Sequence, residues 1–597
     1  MEKNLWENLK AILIHYRWRF AKALAMVIIA NILLIATPLT FRHAVMAMSN
    51  TQMSTGIMAK ALKWLLGSYS SSLGAWVLVL LLLTVIAAYF KYRMRVAFIS
   101  VSRDAERDVR SLLFSRIQEQ SMTFYDRHGI GELLSRLTND ISAYRDVLGP
   151  GIMYPLFFLT LVIPGLIALF SISPTLTVIS LFPLFAIPLL NLATRRKVYN
   201  LSRIVQKGLG DLSNMTQENY SGIRIIKGYI SEFQFSKHFS ALCQSLIKAN
   251  IQLNCFQGML YPFFTLLTKL VTVVLVMFTG FIVLKGWGQL NAADFISFMW
   301  IQSYIFFPIL MLAWVLPVYE RGRAAYDRLL EIYNEPIEVK DEASSSIEIP
   351  AKASIEFNHL TFTYPQAQKP SLIDFSLKIA GGSFVGITGP VGAGKTTLFR
   401  ILNREYEIPY GKVKVAGHDI HEYPLEAFWK EIVTVEQVPF LFSRSIADNV
   451  RFGKEEALQK DIETVSKYAD LHETILSFPE QYDTIIGERG ITLSGGQKQR
   501  LAMARAFLVD RSILLLDDVF SAVDADTEMH IFMAMQTKLK SKTVLLITHR
   551  VSILESMDRV IYMQEGQIVE DGTPQELKAK KGHYAALVEL QNLREKQ

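Results

Sequence analysis

Six apolar stretches fill the first half of the chain, at residues 19–41, 73–93, 152–172, 174–194, 257–284 and 292–318. At a rise of about 1.5 Å per residue, each is long enough to cross a hydrocarbon core of about 30 Å as a helix. Lipid offers the backbone no hydrogen-bond partners, so a spanning segment must satisfy its own. The expectation is an all-α polytopic membrane domain of six transmembrane helices over residues 19–332. With 51% of the residues hydrophobic, the composition agrees.

The connections set the orientation. Those after the third and fifth stretches are short. Two others, 94–151 and 195–256, are long and rich in Lys and Arg: the first carries Arg95, Arg103, Arg107, Arg110, Arg116, Arg127, Arg136 and Arg145, the second Arg195, Arg196, Lys197, Arg203, Lys207, Arg224 and Lys227. Segments rich in Lys and Arg stay in the cytoplasm, and six spans then put both termini there. They also account for much of the +7 net charge; no compact basic patch interleaved with aromatics occurs, so nucleic acid is not an expected partner.

Both long segments read as helix, so the spanning helices are expected to run on into the cytosol. At their tips, Gly129 and Gly131 in "FYDRHGIGELLSRLTND" and Gly222 in "ENYSGIRIIKGY" break the helix, leaving short exposed helices able to dock on another domain. Residues 1–18 lack a signal-peptide cleavage pattern. Trp6, Leu9, Ile12, Leu13 and Tyr16 recur at helical spacing among Lys3, Lys10, Arg17 and Arg19, as in a helix lying among lipid headgroups. Lys269 sits mid-span, where an ionisable group costs roughly 2.5–3.5 kcal/mol, so it should face a water-filled substrate cavity, pair with an acid on another helix, or snorkel toward the headgroups. Cys243 and Cys255 are the only cysteines, too few for a disulfide framework or a cysteine metal site.

After a polar linker, 333–353, short β-branched runs alternate with helical segments, predicting an α/β domain over 354–597. There "GSFVGITGPVGAGKTTLFRIL" gives strand, G-x-x-x-x-G-K-T and helix. Gly389, Pro390, Val391, Gly392, Ala393 and Gly394 form a loop whose N–H groups can wrap phosphate. Lys395 reaches the terminal phosphates, Thr396 offers an oxygen to Mg²⁺, and Thr397 continues the helix start. "ILLLDD" is a buried strand delivering Asp517 as the Mg²⁺-associated carboxylate of a P-loop NTPase fold, and "LITHR" is a second such strand ending at His549.

Between the phosphate loop and that carboxylate lies "LSGGQKQR", and with it the sequence resembles the ATP-binding-cassette family. The resemblance implies ATP and Mg²⁺ as ligands, with two cassettes sandwiching the nucleotides. Ser494, Gly495, Gly496 and Gln497 would cradle the γ-phosphate of the opposite site. It further implies Tyr364 as the aromatic stacking on adenine, Gln437 as the glutamine contacting metal and attacking water, Asp524 as the D-loop aspartate, and His549 as the switch histidine. Glu488 in "GERG" matches a segment that contacts the transmembrane helices in exporters. Six spans fused ahead of the cassette resemble a type I exporter half-transporter of the bacterial multidrug-resistance-like Mdl type. Its hairpin tips would be coupling helices, and its cargo an amphipathic small molecule.

One residue departs from the pattern. Where active family members place Glu after the aspartate, this chain has Asp518. The charge is kept and the reach shortened, so turnover should suffer while binding survives. Every other nucleotide-contacting element is intact. The expectation is therefore a heterodimer in which a second half-transporter supplies the catalytic glutamate. The alternatives are a slow homodimeric lipid or drug flippase and an ATP-sensing regulatory subunit that transports nothing.

Overall fold

The computed structural model describes residues 11–12, 14–48, 73–285, 290–341, 347–487 and 493–595. Glu488, Trp6 and Leu9 lie outside them. The chain divides into two compact units, Met1–Gln118 with Gly131–Glu335, and Glu119–Ile130 with Pro336–Gln597. The second unit thus includes twelve residues from the tip of the first long hairpin.

The first unit is helical. Among the described residues, four helices are long and apolar enough to span a membrane: Arg17–Met46, Leu73–Gln118, Ile130–Ile172 and Glu232–Phe281. The other two expected spans are helical as well. Residues 174–194 fall on Pro174–Ser180 and Phe182–Ser221, which meet at Leu181, and residues 292–318 on Ala292–Asn334.

The 46-residue helix Leu73–Gln118 shows how one element serves two solvents. In its apolar portion, Val77, Leu78, Leu81, Leu82 and Val85 point outward and are roughly half exposed, the surface expected against lipid. Further along, Phe98, Val101, Ala105, Val109 and Leu113 recur every three or four residues as a buried stripe. The stripe from Ala105 onward packs on Ile141, Tyr144, Tyr326 and Leu329, with the Tyr144 and Tyr326 rings stacked at 5.3 Å. Charges inside this bundle are paired: Glu106, 4% exposed, lies among Arg103, Arg110 and Arg145. The second hairpin tip, Ile223–Gly228, is capped by Gly222, and Tyr220, Ile225, Tyr229 and Phe233 around it are exposed. Lys269 is exposed on its helix, beside exposed Leu266, Leu270 and Val273.

The second unit holds two sheets. An antiparallel four-stranded sheet, in the order β2-β1-β4-β5, comprises β1 (Ile355–Phe362), β2 (Leu372–Ile379), β4 (Val413–Val415) and β5 (His418–Asp419). The other has the order β10-β9-β3-β8-β7-β6, built from β3 (Phe384–Thr388), β6 (Ile432–Val435), β7 (Ile513–Asp517), β8 (Thr543–Ile547), β9 (Arg559–Gln564) and β10 (Gln567–Gly572). Its pairings are parallel from β9 to β6. Every residue of β3, β7 and β8 is buried, as expected of parallel strands covered on both faces. Their register aligns Ile387 with Ile547, Ile547 with Asp517, and Leu516 with Val435. The loops leaving β3, β6, β7 and β8 therefore emerge along one edge, where ligands bind in open α/β sheets.

Candidate nucleotide site

The loop after β3 needs its glycines. A Cβ on Gly389 would lie 2.0 Å from the Met563 carbonyl oxygen, and one on Gly394, at φ +91°, 2.5 Å from that of Ser371. Gly394 caps the helix Lys395–Leu402, so the unpaired N–H groups of the first helical turn open toward the loop. Lys395 is 9% exposed, and its ammonium donates to the carbonyls of Gly389 (2.6 Å) and Pro390 (2.8 Å) of the same loop. Burial lowers its pKa, and the carboxylates of Asp517 and Asp518 pull the other way. A cation held beside the amide donors of a helix start is an arrangement suited to polyphosphate.

Asp517 ends β7 and is 8% exposed. Burial raises its pKa; the Thr396 hydroxyl, hydrogen-bonded to it, and Lys395 lower it. Asp518 follows at φ +45°, a left-handed conformation that aspartate tolerates better than most residues. Its carboxylate accepts from Gln437 Nε2 at 3.2 Å. The hydroxyl, carboxylate and amide of Thr396, Asp517 and Gln437 are hard donors of the kind Mg²⁺ takes beside phosphate oxygens. Among the described residues no cluster of three His, Cys, Asp or Glu side chains could hold a metal ion.

His549, just beyond β8, is half-buried. Desolvation lowers its pKa, Lys395 lowers it further and Asp518 opposes them, so the three groups share one field. The neutral imidazole can donate or accept at neutral pH. Gln591 of the C-terminal helix His583–Glu595 braces this turn, donating to His549 O (2.6 Å) and accepting from Val551 N (2.8 Å). It lies 42 residues downstream, and nothing in the local sequence announces it.

Tyr364 stands edge-on to Phe362 (5.1 Å) and Tyr406 (5.2 Å), and its hydroxyl donates to Thr397 Oγ1 (3.1 Å). The ring is thereby anchored next to the phosphate loop, partly exposed and able to take a base on its face. Tyr406, which the sequence did not single out, donates to Asp126 Oδ2 of the hairpin tip (2.7 Å). Met122 N donates to Glu405 O (3.2 Å) and Gln366 Nε2 to Asp126 O (3.0 Å), so the tip helix Met122–Arg127 is gripped by residues adjoining the Tyr364 segment.

The signature loop opens the helix Gly495–Val509. Ser494 caps it, its hydroxyl accepting from Gln497 N while Gln497 Oε1 accepts from Ser494 N. The amides of Gly495 and Gly496 are left free of that box, at the positive end of a 15-residue helix. Asp524, exposed, caps the helix Ala525–Lys538 through Thr527 N (3.0 Å). Ser494 to Gln497 and Asp524 are separate in the sequence from the phosphate-loop cluster, each at a helix start.

The ABC transporter transmembrane region family matches residues 20–309, and the ABC transporter family residues 372–521. The chain is 32% identical over 521 residues to the multidrug resistance-like ATP-binding protein MdlA of Buchnera aphidicola, covering 87% of this chain and 89% of that one. It is 31% identical to MdlA of Escherichia coli, covering 87% of each. An ATP-dependent lipid A-core flippase of Syntrophus aciditrophicus is 29% identical over 81% of this chain and 80% of its own length. A solved bacterial Atm1-family ABC exporter with ATP bound shares the fold, with a TM-score of 0.75 and 24% identity over 96% of this chain and 98% of that one. The chain belongs to the ABC transporters, as an exporter subunit whose membrane-spanning region and ATP-hydrolysing domain are one polypeptide.

Proposed function

We propose that this chain is one half of a heterodimeric exporter of amphipathic small molecules, and that its Asp518 site holds ATP while a partner half-transporter supplies the catalytic glutamate. Asp518, the single departure in a complete set of nucleotide-contacting residues, carries the reading. A general base works within about 2.6–3.2 Å of the water it activates, and a carboxylate one methylene short misses that distance. Thr396, Asp517 and Gln437 would hold Mg²⁺, which would supply positive charge to stabilise the phosphate oxygens. Lys395 and the loop amides bind the phosphates, Tyr364 the base, and His549 the γ-phosphate. Ser494, Gly495, Gly496 and Gln497 complete the site built on the partner's phosphate loop.

Closure of the two cassettes on ATP turns the cavity outward, and hydrolysis at the partner's glutamate resets it. Switching by a ligand requires unequal affinities in the two states, so the cargo binds the inward-facing form more tightly. Both termini and the cassette lie in the cytoplasm of a bacterium, below its inner membrane. The exposed aromatic tip around Ile223–Gly228 docks on the partner's cassette, and Lys269 faces the cavity. The multidrug resistance-like relatives favour drug cargo, and the lipid A-core flippase keeps a homodimeric lipid flippase as the second reading.

Tagging this chain and measuring what copurifies tests the assembly: a homologous half-transporter at equal stoichiometry is expected, and recovery of this chain alone overturns it. ATP-dependent dye uptake into inside-out vesicles tests export, and its absence alongside intact ATP binding would leave a regulatory subunit.

A further inference from the structure

The signature helix carries a polar side chain where packing calls for an apolar one. Gln499 is 4% exposed and shares its buried face with Ala502, Met503 and Ala506. Its amide reaches three places. Nε2 donates to Gln437 O (3.2 Å) and to Ser521 Oγ (2.9 Å), and Oε1 accepts from Ala522 N (3.1 Å). The opposite amide orientation would set the oxygen against the Gln437 carbonyl and the NH₂ against the Ala522 N–H, so the network admits one orientation.

These contacts close a ring. The Gln437 side chain donates to Asp518, Asp518 O accepts from Ser521 N (3.2 Å), and Ser521 returns through Gln499 to the Gln437 backbone. The ring touches the signature loop through Ala522. A Cβ on Gly496 would lie 2.5 Å from Ala522 O, and one on Gly495 3.4 Å from Ala522 Cβ. On the far side Arg550, next to His549, donates to Val523 O (2.6 Å). Gln437, Ser521 and Ala522 are exposed, but buried Gln499 bonds to all three and so couples a shift of the Gln437 backbone to Ser521 and Ala522.

We propose that Gln499 is a positioning residue: it ties the segment bearing Gln437 to the Ala522 backbone under Gly495 and Gly496, so the state of this chain's own nucleotide site sets the posture of the signature loop it offers to the opposite site. This rests on the reading above that the loop works across a dimer.

The test uses the intact transporter in liposomes with Gln499→Met, which keeps length and packing but no hydrogen bond, and Gln499→Glu, which keeps an acceptor for Ala522 N but loses both donors. Both should lower kcat by about ten-fold or more, with KM for ATP within about two-fold and Tm within a few degrees of the parent. Adding Ser521→Ala, which removes the hydroxyl that accepts from Gln499 Nε2, to Gln499→Met should cost nothing further, because the ring is already open. The proposal is overturned if either variant keeps kcat within about two-fold of the parent, if the Ser521 and Gln499 effects multiply, or if kcat falls only together with Tm. A parent transporter with no ATPase activity would overturn the dimer reading beneath it instead.

Discussion

Asp518→Glu restores one methylene, and the size of its effect separates the two assemblies. The substitution extends the carboxylate by about 1.5 Å, one carbon–carbon bond. A well-placed base contributes 10² to 10⁴ in rate, about 2.7–5.4 kcal/mol at 1.36 kcal/mol per decade. In a heterodimer the partner's site already sets turnover, so bringing the Asp518 site up to the same rate can at most about double phosphate release. In a homodimer both sites gain, and release should rise by about a hundred-fold or more. Glutamate is less at ease than aspartate at φ +45°, with a cost of up to about 1–2 kcal/mol, so Tm should be followed in parallel. Phosphate release at saturating ATP from proteoliposomes of the copurified complex is the assay. A rise of a hundred-fold would refute the division of labour, as would loss of activity on Asp518→Asn with the partner's glutamate intact.

Tyr364→Ala removes the face offered to adenine and should weaken ATP by about 1–3 kcal/mol, read as Kd from fluorescent-nucleotide titration. Gly496→Ala places a Cβ 2.5 Å from the Ala522 carbonyl oxygen. ATP binding in the Tyr364 site should persist while ATP-driven cassette closure, followed by cross-linking, is lost. Tyr406→Phe deletes one hydroxyl bonded to the exposed carboxylate of Asp126, a change of about 1 kcal/mol. Transport per ATP hydrolysed should fall more than hydrolysis itself. His549 has a pKa held below 6.5 chiefly by burial. Above 6.5 it is neutral in folded and unfolded chains alike. As pH falls below that value the unfolded chain takes up a proton the folded site refuses, so stability drops until the folded pKa is passed. His549→Gln should therefore lose less Tm than the parent between pH of about 7.5 and 5.5.

Local chemistry was the legible part of this chain. A loop that wraps phosphate needs glycine at fixed offsets from a lysine and a helix start, and that constraint is written contiguously from Gly389 to Thr396. Strand order is not: β3 lies between β8 and β9, strands from far downstream, because burial of both faces decides their neighbours. Tyr406 and Gln591 were missed because their partners, Asp126 and the His549 turn, are remote in sequence. Gln499 did leave a signal, an amide at helical spacing from Ala502, Met503 and Ala506, but without coordinates it reads as one more polar residue after the signature.

The hairpin segment Glu119–Ile130 belongs to the same compact unit as Pro336–Gln597, although some two hundred residues separate them in the chain. During synthesis the piece is made first and must wait, exposed, until its host emerges from the ribosome. Conversely, a truncation beginning at Pro336 would leave Glu405, Tyr406 and Gln366 without the backbone and carboxylate they bond. Such a fragment is an unfinished product with a sticky seam, and its yield and solubility should improve when a peptide spanning Glu119 to Ile130 is supplied alongside it.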